Sequence, residues 1–193
     1  MVKIDKIQQA ILRLDGGAFQ QIMNEYLYKK YKFTNITCLG SEAGSSKPTK
    51  GTPDTYVEID NGKYILIMYG AVERKAYQKL KEDINNAYNI DKTFIDESKI
   101  EKVICCYTSN NINIAQREDI KKLFKDKEVE LIGIDDFSYD IAHNFQSIAK
   151  TYLDIAEKTG ASTATISRVN RSLNYGNDGY ELVFNRMNKK GDE

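Results

Sequence analysis

Asp54 stands immediately before an alternating run, Thr55 to Ile59, and a second apolar run, Tyr64 to Gly70, is followed by Glu73 and Lys75. An aspartate opening one strand, an acid associated with the next and a lysine two residues beyond that acid are the parts of a site for a hard divalent cation. The carboxylates hold the ion, and the lysine orients a water beside it. Glu25, on the N-terminal helical segment, adds a third carboxylate. Asp54 and Glu25 are therefore the metal-ligand candidates, and Asp54, Glu73 and Lys75 the catalytic ones. Lys79 and Lys81 are further sources of positive charge a few residues on. The cofactor implied is Mg²⁺, required only if the site is active.

A second constellation lies in TYLDIAEKTGASTATISRVNRSL, Thr151 to Leu173. Two short helices that cross steeply need a small residue at the crossing, a turn residue tolerant of positive φ and a few shared apolar positions. Ala156 supplies the first and Gly160 the second. Ile155, Ala161, Ile166 and Val169 supply the third, at spacings that point inward. Ser162 or Thr163 caps the second helix. Ser162, Thr163, Thr165, Arg168 and Arg171 then form an outward set, short and polar first and basic after, suited to base edges and phosphates. Taken by spacing alone, the same residues also fit an ordinary αα-hairpin with a glycine C-cap.

The elements that must position these residues are readable from periodicity. Ile7, Ile11 and Leu14 recur at helical spacing, as do Phe19, Ile22, Met23, Tyr26 and Leu27, with Asp15-Gly16-Gly17 between the two sets. Asp60-Asn61-Gly62 between two strand-like runs predicts an antiparallel hairpin, because Asn-Gly accepts positive φ. Residues 76–88 read as an amphipathic helix, 102–108 as a buried strand, 115–125 as a helix and 128–134 as another strand. Strands interleaved with helices predict an α/β domain on a mixed sheet. From Phe137 onward the pattern is helical, which places a domain boundary near 140.

Composition narrows the classes. No apolar run is long enough to cross a bilayer, and Met1 to Asp5 lack the apolar segment of a secretory signal. The expectation is a cytoplasmic protein without membrane contact. The three cysteines, Cys38, Cys105 and Cys106, form no CxxC pair, and His143 is the single histidine. A disulfide framework or structural zinc site is not indicated, and the thiols are expected in or near the core. Net charge is zero, which argues against a bulk electrostatic binder of nucleic acid but leaves room for a local basic face.

Two resemblances add to this reading. The run DIAEKTGASTATISRVNRSLNYGNDGYELVF resembles the Trp-repressor superfamily in its YerC/YecD-like branch, over Thr151 to Met187. It implies a dimeric, helical DNA-binding module with a recognition helix over residues 162–173. The N-terminal part, over Ile7 to Ala149, resembles the PD-(D/E)xK nuclease superfamily, most closely the nuclease-like domains of bacterial defence proteins. Phe19-Gln20, Gly51 to Asp54 and Asn61 to Tyr64 carry that likeness. The pattern places the acid of the second strand near position 68, where Met68 stands, and a thioether is a soft, uncharged donor ill suited to Mg²⁺.

Together these readings predict a mixed-sheet, restriction-endonuclease-like α/β domain over residues 1–140, followed by a small all-α helix-turn-helix module over 141–193. The expected function is sequence-specific binding of double-stranded DNA by a transcriptional regulator, acting as a homodimer, with an inactive nuclease-like domain. The alternative is a metal-dependent endonuclease of a defence system, targeted by the helix-turn-helix.

Overall fold

The structure, a computed structural model, describes residues 4–39, 51–70, 75–109, 112–124, 126–153 and 155. The chain divides into two compact units, Met1–Ile155 and Ala156–Glu193. All described residues belong to the first.

Helix α1 (Ile4–Ile11) buries Ile7 and Ile11. Helix α2 (Gly16–Tyr31) starts where the Asp15 side chain accepts the Ala18 N–H at 2.7 Å, a standard N-cap. It ends at Lys32, which takes the left-handed conformation. Its buried stripe, Phe19, Ile22, Met23, Tyr26 and Leu27, has the spacing read from the sequence.

A two-residue strand β1 (Thr37–Cys38) precedes β2 (Thr55–Ile59) and β3 (Lys63–Gly70). The hairpin between β2 and β3 turns through Asn61 and Gly62, both with positive φ (67° and 68°), as Asn-Gly predicts. Then follow α3 (Ala76–Ala87), the short α4 (Ile90–Thr93), β4 (Ile100–Tyr107), α5 (Ile114–Leu123), β5 (Val129–Gly133), α6 (Ile134–His143) and α7 (Gln146–Tyr152). The sheet order is β1-β2-β3-β4-β5. The first three strands are antiparallel, whereas β3–β4 and β4–β5 are parallel, each pair bridged by helix as parallel strands require. The sheet is therefore mixed, as expected.

Both faces of the sheet are covered. Val57, Ile67, Ile104, Cys106 and Ile132 share one core with α1, α2, α6 and α7, while Leu66, Met68, Val103, Cys105 and Tyr107 share another with α3 and Ile120 of α5. The period of two along a strand sends successive side chains to opposite layers, so the adjacent Cys105 and Cys106 belong to different cores. Both are fully buried free thiols, whereas Cys38 is exposed. No helix of the described residues is long and apolar enough to cross a membrane.

The boundary expected near 140 falls within α6. Helices α6 and α7 bury Ile141, Ala142, Ile148 and Ala149 in the same core as α1 and α2, and the compact unit runs on to Ile155. The helical pattern after Phe137 is real, but it completes a layer of the α/β unit instead of beginning a separate one.

Candidate functional site

Asp54 immediately precedes β2, one residue beyond the Thr55–Ile67 pair of the hairpin. Its Oδ2 accepts the Tyr69 N–H at 2.7 Å, which turns the carboxylate toward the carboxyl end of β3. Behind it, on the α2 side, the Gln20 side-chain amide donates to the Asp54 carbonyl and to Thr55 Oγ1, both at 3.3 Å. Thr55 Oγ1 and the Tyr69 hydroxyl both donate to Asn24 Oδ1. These polar groups brace the start of β2 from one face and leave the Asp54 carboxylate to the other.

On that other face stands α3. Asp83 is only 6% exposed although charged, and its Oδ1 receives the Lys79 ammonium at 2.5 Å, one helical turn away. Burial pushes the Asp83 carboxyl above its usual range, with Lys79 pulling against it. Burial likewise raises Asp54, opposed by the Tyr69 N–H and by Lys79 and assisted by the charge of Asp83. Burial alone would lower Lys79. The hydrogen bond and charge of Asp83, with the charges of Glu82 and Asp54, outweigh it and hold the ammonium above its ordinary value. Lys79 and Asp83 are thus an ion pair on α3, and the charges of both are felt at Asp54. Lys79 and Asp83 also line a small cleft with Gly70, Ala76, Leu80 and Tyr107, at the carboxyl ends of β3 and β4. Ligands of open α/β sheets commonly bind at such strand ends.

The other sequence candidates distribute differently. Lys75 is exposed in the left-handed conformation (φ 58°), directly before α3. Asp54 responds to the charge of Lys79, one turn into α3. Glu25 is half-buried on α2 and ion-paired with Lys29 at 3.1 Å. It lines a separate open cleft of about 440 Å³ with Asn24, Tyr28, Cys38 and Tyr152, so the pairing of Glu25 with Asp54 at one metal does not form. Lys81 turns toward Tyr77 and Asp119, away from the cluster. Met68 is buried on the α3 face, so an acid at that position would have joined Asp54. Glu73, Ser162, Thr163, Thr165, Arg168 and Arg171 lie outside the described residues.

Asp83 escaped the sequence reading, yet it carries a signal. It falls in the buried stripe of α3 with Ala76, Leu80, Ile84 and Ala87, and a carboxylate in the apolar stripe of an amphipathic helix needs a partner or a purpose.

Among the described residues the oxygen donors for a magnesium centre are few. Mg²⁺ demands near-octahedral oxygen coordination. Among the described residues two carboxylates, Asp54 and Asp83, lie on this side of the sheet, Asp83 already holds the Lys79 ammonium, and the strand position next to Asp54 carries the thioether of Met68. Among the described residues no group of three or more His, Cys, Asp or Glu side chains is placed to hold a metal.

Comparison with known proteins concerns the later part of the chain. Residues 112–188 match the family model described as Trp repressor protein. Protein YerC of Bacillus subtilis (strain 168), itself described as uncharacterized, is 65% identical over 37 residues. That stretch is 19% of this chain and 36% of YerC, so the chain spans about a third of its curated relative's length. No solved structure matches the chain. The family match begins inside the α/β unit: its first part takes in α5, β5, α6 and α7 before passing beyond the described residues.

Proposed function

We propose that this protein is a sequence-specific binder of double-stranded DNA that acts as a transcriptional regulator. The observation that carries the reading is the Trp repressor family match over residues 112–188, together with the 65% identity to YerC over 37 residues of the chain. In this reading the C-terminal unit is a helix-turn-helix, and residues 162–173 form the helix that enters the major groove. Arg168 and Arg171 contact phosphates or guanine edges, and Ser162, Thr163 and Thr165 contact neighbouring base edges and backbone. Two copies are needed to present recognition helices about one DNA turn apart, so the protein works as a homodimer in the cytoplasm. The α/β unit is a nuclease-like scaffold that has lost its chemistry.

The test is selection of binding sites from a random duplex pool by the full chain, followed by gel shift on the enriched sequence. Arg168→Ala and Arg171→Ala each weaken binding by about 1–3 kcal/mol if the arginine reads a base. A phosphate contact instead lowers affinity evenly across sequences and reduces the salt slope by about one. Enrichment of no sequence, or shifts indifferent to both substitutions, would remove the regulator reading. A plasmid nicking assay with Mg²⁺ or Mn²⁺ addresses the endonuclease alternative: no cleavage is expected, and cleavage lost in Asp54→Ala would establish that alternative.

A further inference from the structure

We propose that the trough along the exposed face of α2 binds a nucleoside phosphate, either a free nucleotide or one unit of a single-stranded nucleic acid. The residues that form it all lie within the α/β unit, so it owes nothing to the helix-turn-helix reading of the C-terminal unit.

The trough follows from the sequence of α2. Burial of Phe19, Ile22, Met23, Tyr26 and Leu27 leaves Gln21, Asn24, Glu25, Tyr28, Lys29 and Lys32 on the opposite side, three and four residues apart. Two open clefts, of about 440 Å³ and about 390 Å³, lie on this side and share Tyr28 and Thr34 as lining residues. Tyr152 at the end of α7 lines the first, and Phe145 directly before α7 lines the second. Chemistry is sorted along the trough. Gln21, Asn24 and Glu25 belong to the first cleft, and Lys29 and Lys32 to the second. Eight residues of helix separate Asn24 from Lys32, a rise of about 12 Å, which is the scale of one nucleotide.

The first cleft suits a base. Asn24 is fixed as a donor: its Oδ1 accepts from Thr55 Oγ1 and the Tyr69 hydroxyl, and its Nδ2 donates to Cys38 Sγ at 2.9 Å. An amide nitrogen carries two N–H groups, so a second remains for a ligand. Glu25 supplies an acceptor and the exposed Gln21 both kinds of group. A base edge mixes donors with acceptors, and amide and carboxylate side chains are the groups that read it. Tyr28 and Tyr152, 51% and 39% exposed in the same cleft, offer rings on which a base can stack. The phosphate then falls to the second cleft, since at the first it would meet the Glu25 carboxylate. Lys32 is exposed there. Lys29 holds Glu25 at 3.1 Å, with both side chains about one-third exposed (33% and 32%), a surface pair of small worth that a phosphate can replace. Lys30 takes no part, being bound to Asp140 at 2.9 Å.

The experiment uses the full-length protein and two probes. A fluorescein-labelled single strand of about twelve nucleotides, containing all four bases, is followed by anisotropy. AMP, GMP, CMP and UMP are each titrated calorimetrically. Binding of the strand or of a mononucleotide is expected, weakened about fivefold or more by Tyr28→Ala, the loss of one stacked base. Tyr28→Phe keeps the ring and should retain the affinity. Lys32→Gln should weaken binding and, for the strand, reduce the salt slope by about 0.7. Strand binding that no mononucleotide displaces identifies single-stranded nucleic acid as the source of the ligand, and calorimetric binding of a mononucleotide identifies the free nucleotide. Binding of neither probe would overturn the proposal. So would binding that Tyr28→Ala or Lys32→Gln leaves unchanged, or that Tyr28→Phe loses as fully as Tyr28→Ala. Both substituted side chains are exposed, and thermal unfolding checks that each variant is folded. Gel shift on the selected duplex scores the regulator reading separately.

Discussion

Asp83 and Asp54 behave oppositely to Asp140 and Glu130 of the same α/β unit, and pH separates them. Burial raises both, and their partners only partly compensate. A group that titrates higher in the folded than in the unfolded chain contributes stability that is complete below its ordinary value, near pH 4 for aspartate, and lost as pH rises through the folded value. Mild acidification from neutrality therefore strengthens the fold through these two acids. Asp140 and Glu130 have the other sign. Burial pushes each up, but Tyr26 and Lys30 at Asp140, and Lys102 and Tyr31 at Glu130, hold both below the ordinary carboxylate range. Their contribution is present at neutrality and lost as pH falls through the depressed values. In urea unfolding, the wild-type midpoint should rise or hold from about pH 7 to about pH 5 and fall below about pH 4. Asp83→Asn should lose part of the first change, and Asp140→Asn should soften the second. An Asp83→Asn profile parallel to wild type would show that this carboxyl titrates normally.

The junction of β5 with α6 is a tighter element than its sequence suggests. Gly133 ends the strand and caps the helix, its N–H donating to Asp136 Oδ2 at 2.9 Å. A methyl group at this position would come within 3.1 Å of the Tyr107 ring and hydroxyl. That ring is not free to yield, because the Tyr107 hydroxyl accepts from Arg117 at 2.8 Å, and Arg117 lies 3.6 Å from Asp136. Gly133→Ala should therefore destabilise by about 1–3 kcal/mol, the usual cost of overpacking. Pairing it with Tyr107→Phe, which frees the ring from Arg117, should recover part of the loss in a double-mutant cycle. Equal costs with and without the tyrosine hydroxyl would place the penalty on the ring carbons alone, and neither the hydroxyl nor its bond to Arg117 would contribute.

Elements of this kind mark how far the sequence could be read. The β2–β3 hairpin was legible because alternation and Asn-Gly agree, and β4 and β5 because their runs are densely apolar. Strand β1 was not, since two exposed residues carry no periodic signal. Asp54 could be singled out by its place at the start of a strand. Lys79 appeared only as one of two nearby lysines, and Asp83 was lost among the charges of α3. Which charges of an amphipathic helix turn inward depends on the layer packed against it, and that layer is assembled from β3 and β4, distant in sequence.

At the scale of the whole chain, the question is where one folding unit stops. A boundary at 140, set where strands cease, would detach Ile141, Ala142, Ile148 and Ala149, each no more than 1% exposed and all in one core with α1 and α2. Full burial of a large aliphatic side chain contributes about 1.5–3 kcal/mol. Two isoleucines and two alanines, with the contacts they release on α1 and α2, approach the 5–15 kcal/mol that a domain has in total. Leu153 and Ile155 also pack against this cluster, whereas the second compact unit begins at Ala156. A chain ending at Ile155 should unfold in a single cooperative transition with the native tyrosine environment intact. A chain ending at residue 140 should show no such transition and should expose its core to an apolar dye. Should the shorter chain fold as well as the longer one, α6 and α7 would be dispensable to the α/β core, and the helical segment from Phe137 onward would belong with the second compact unit after all.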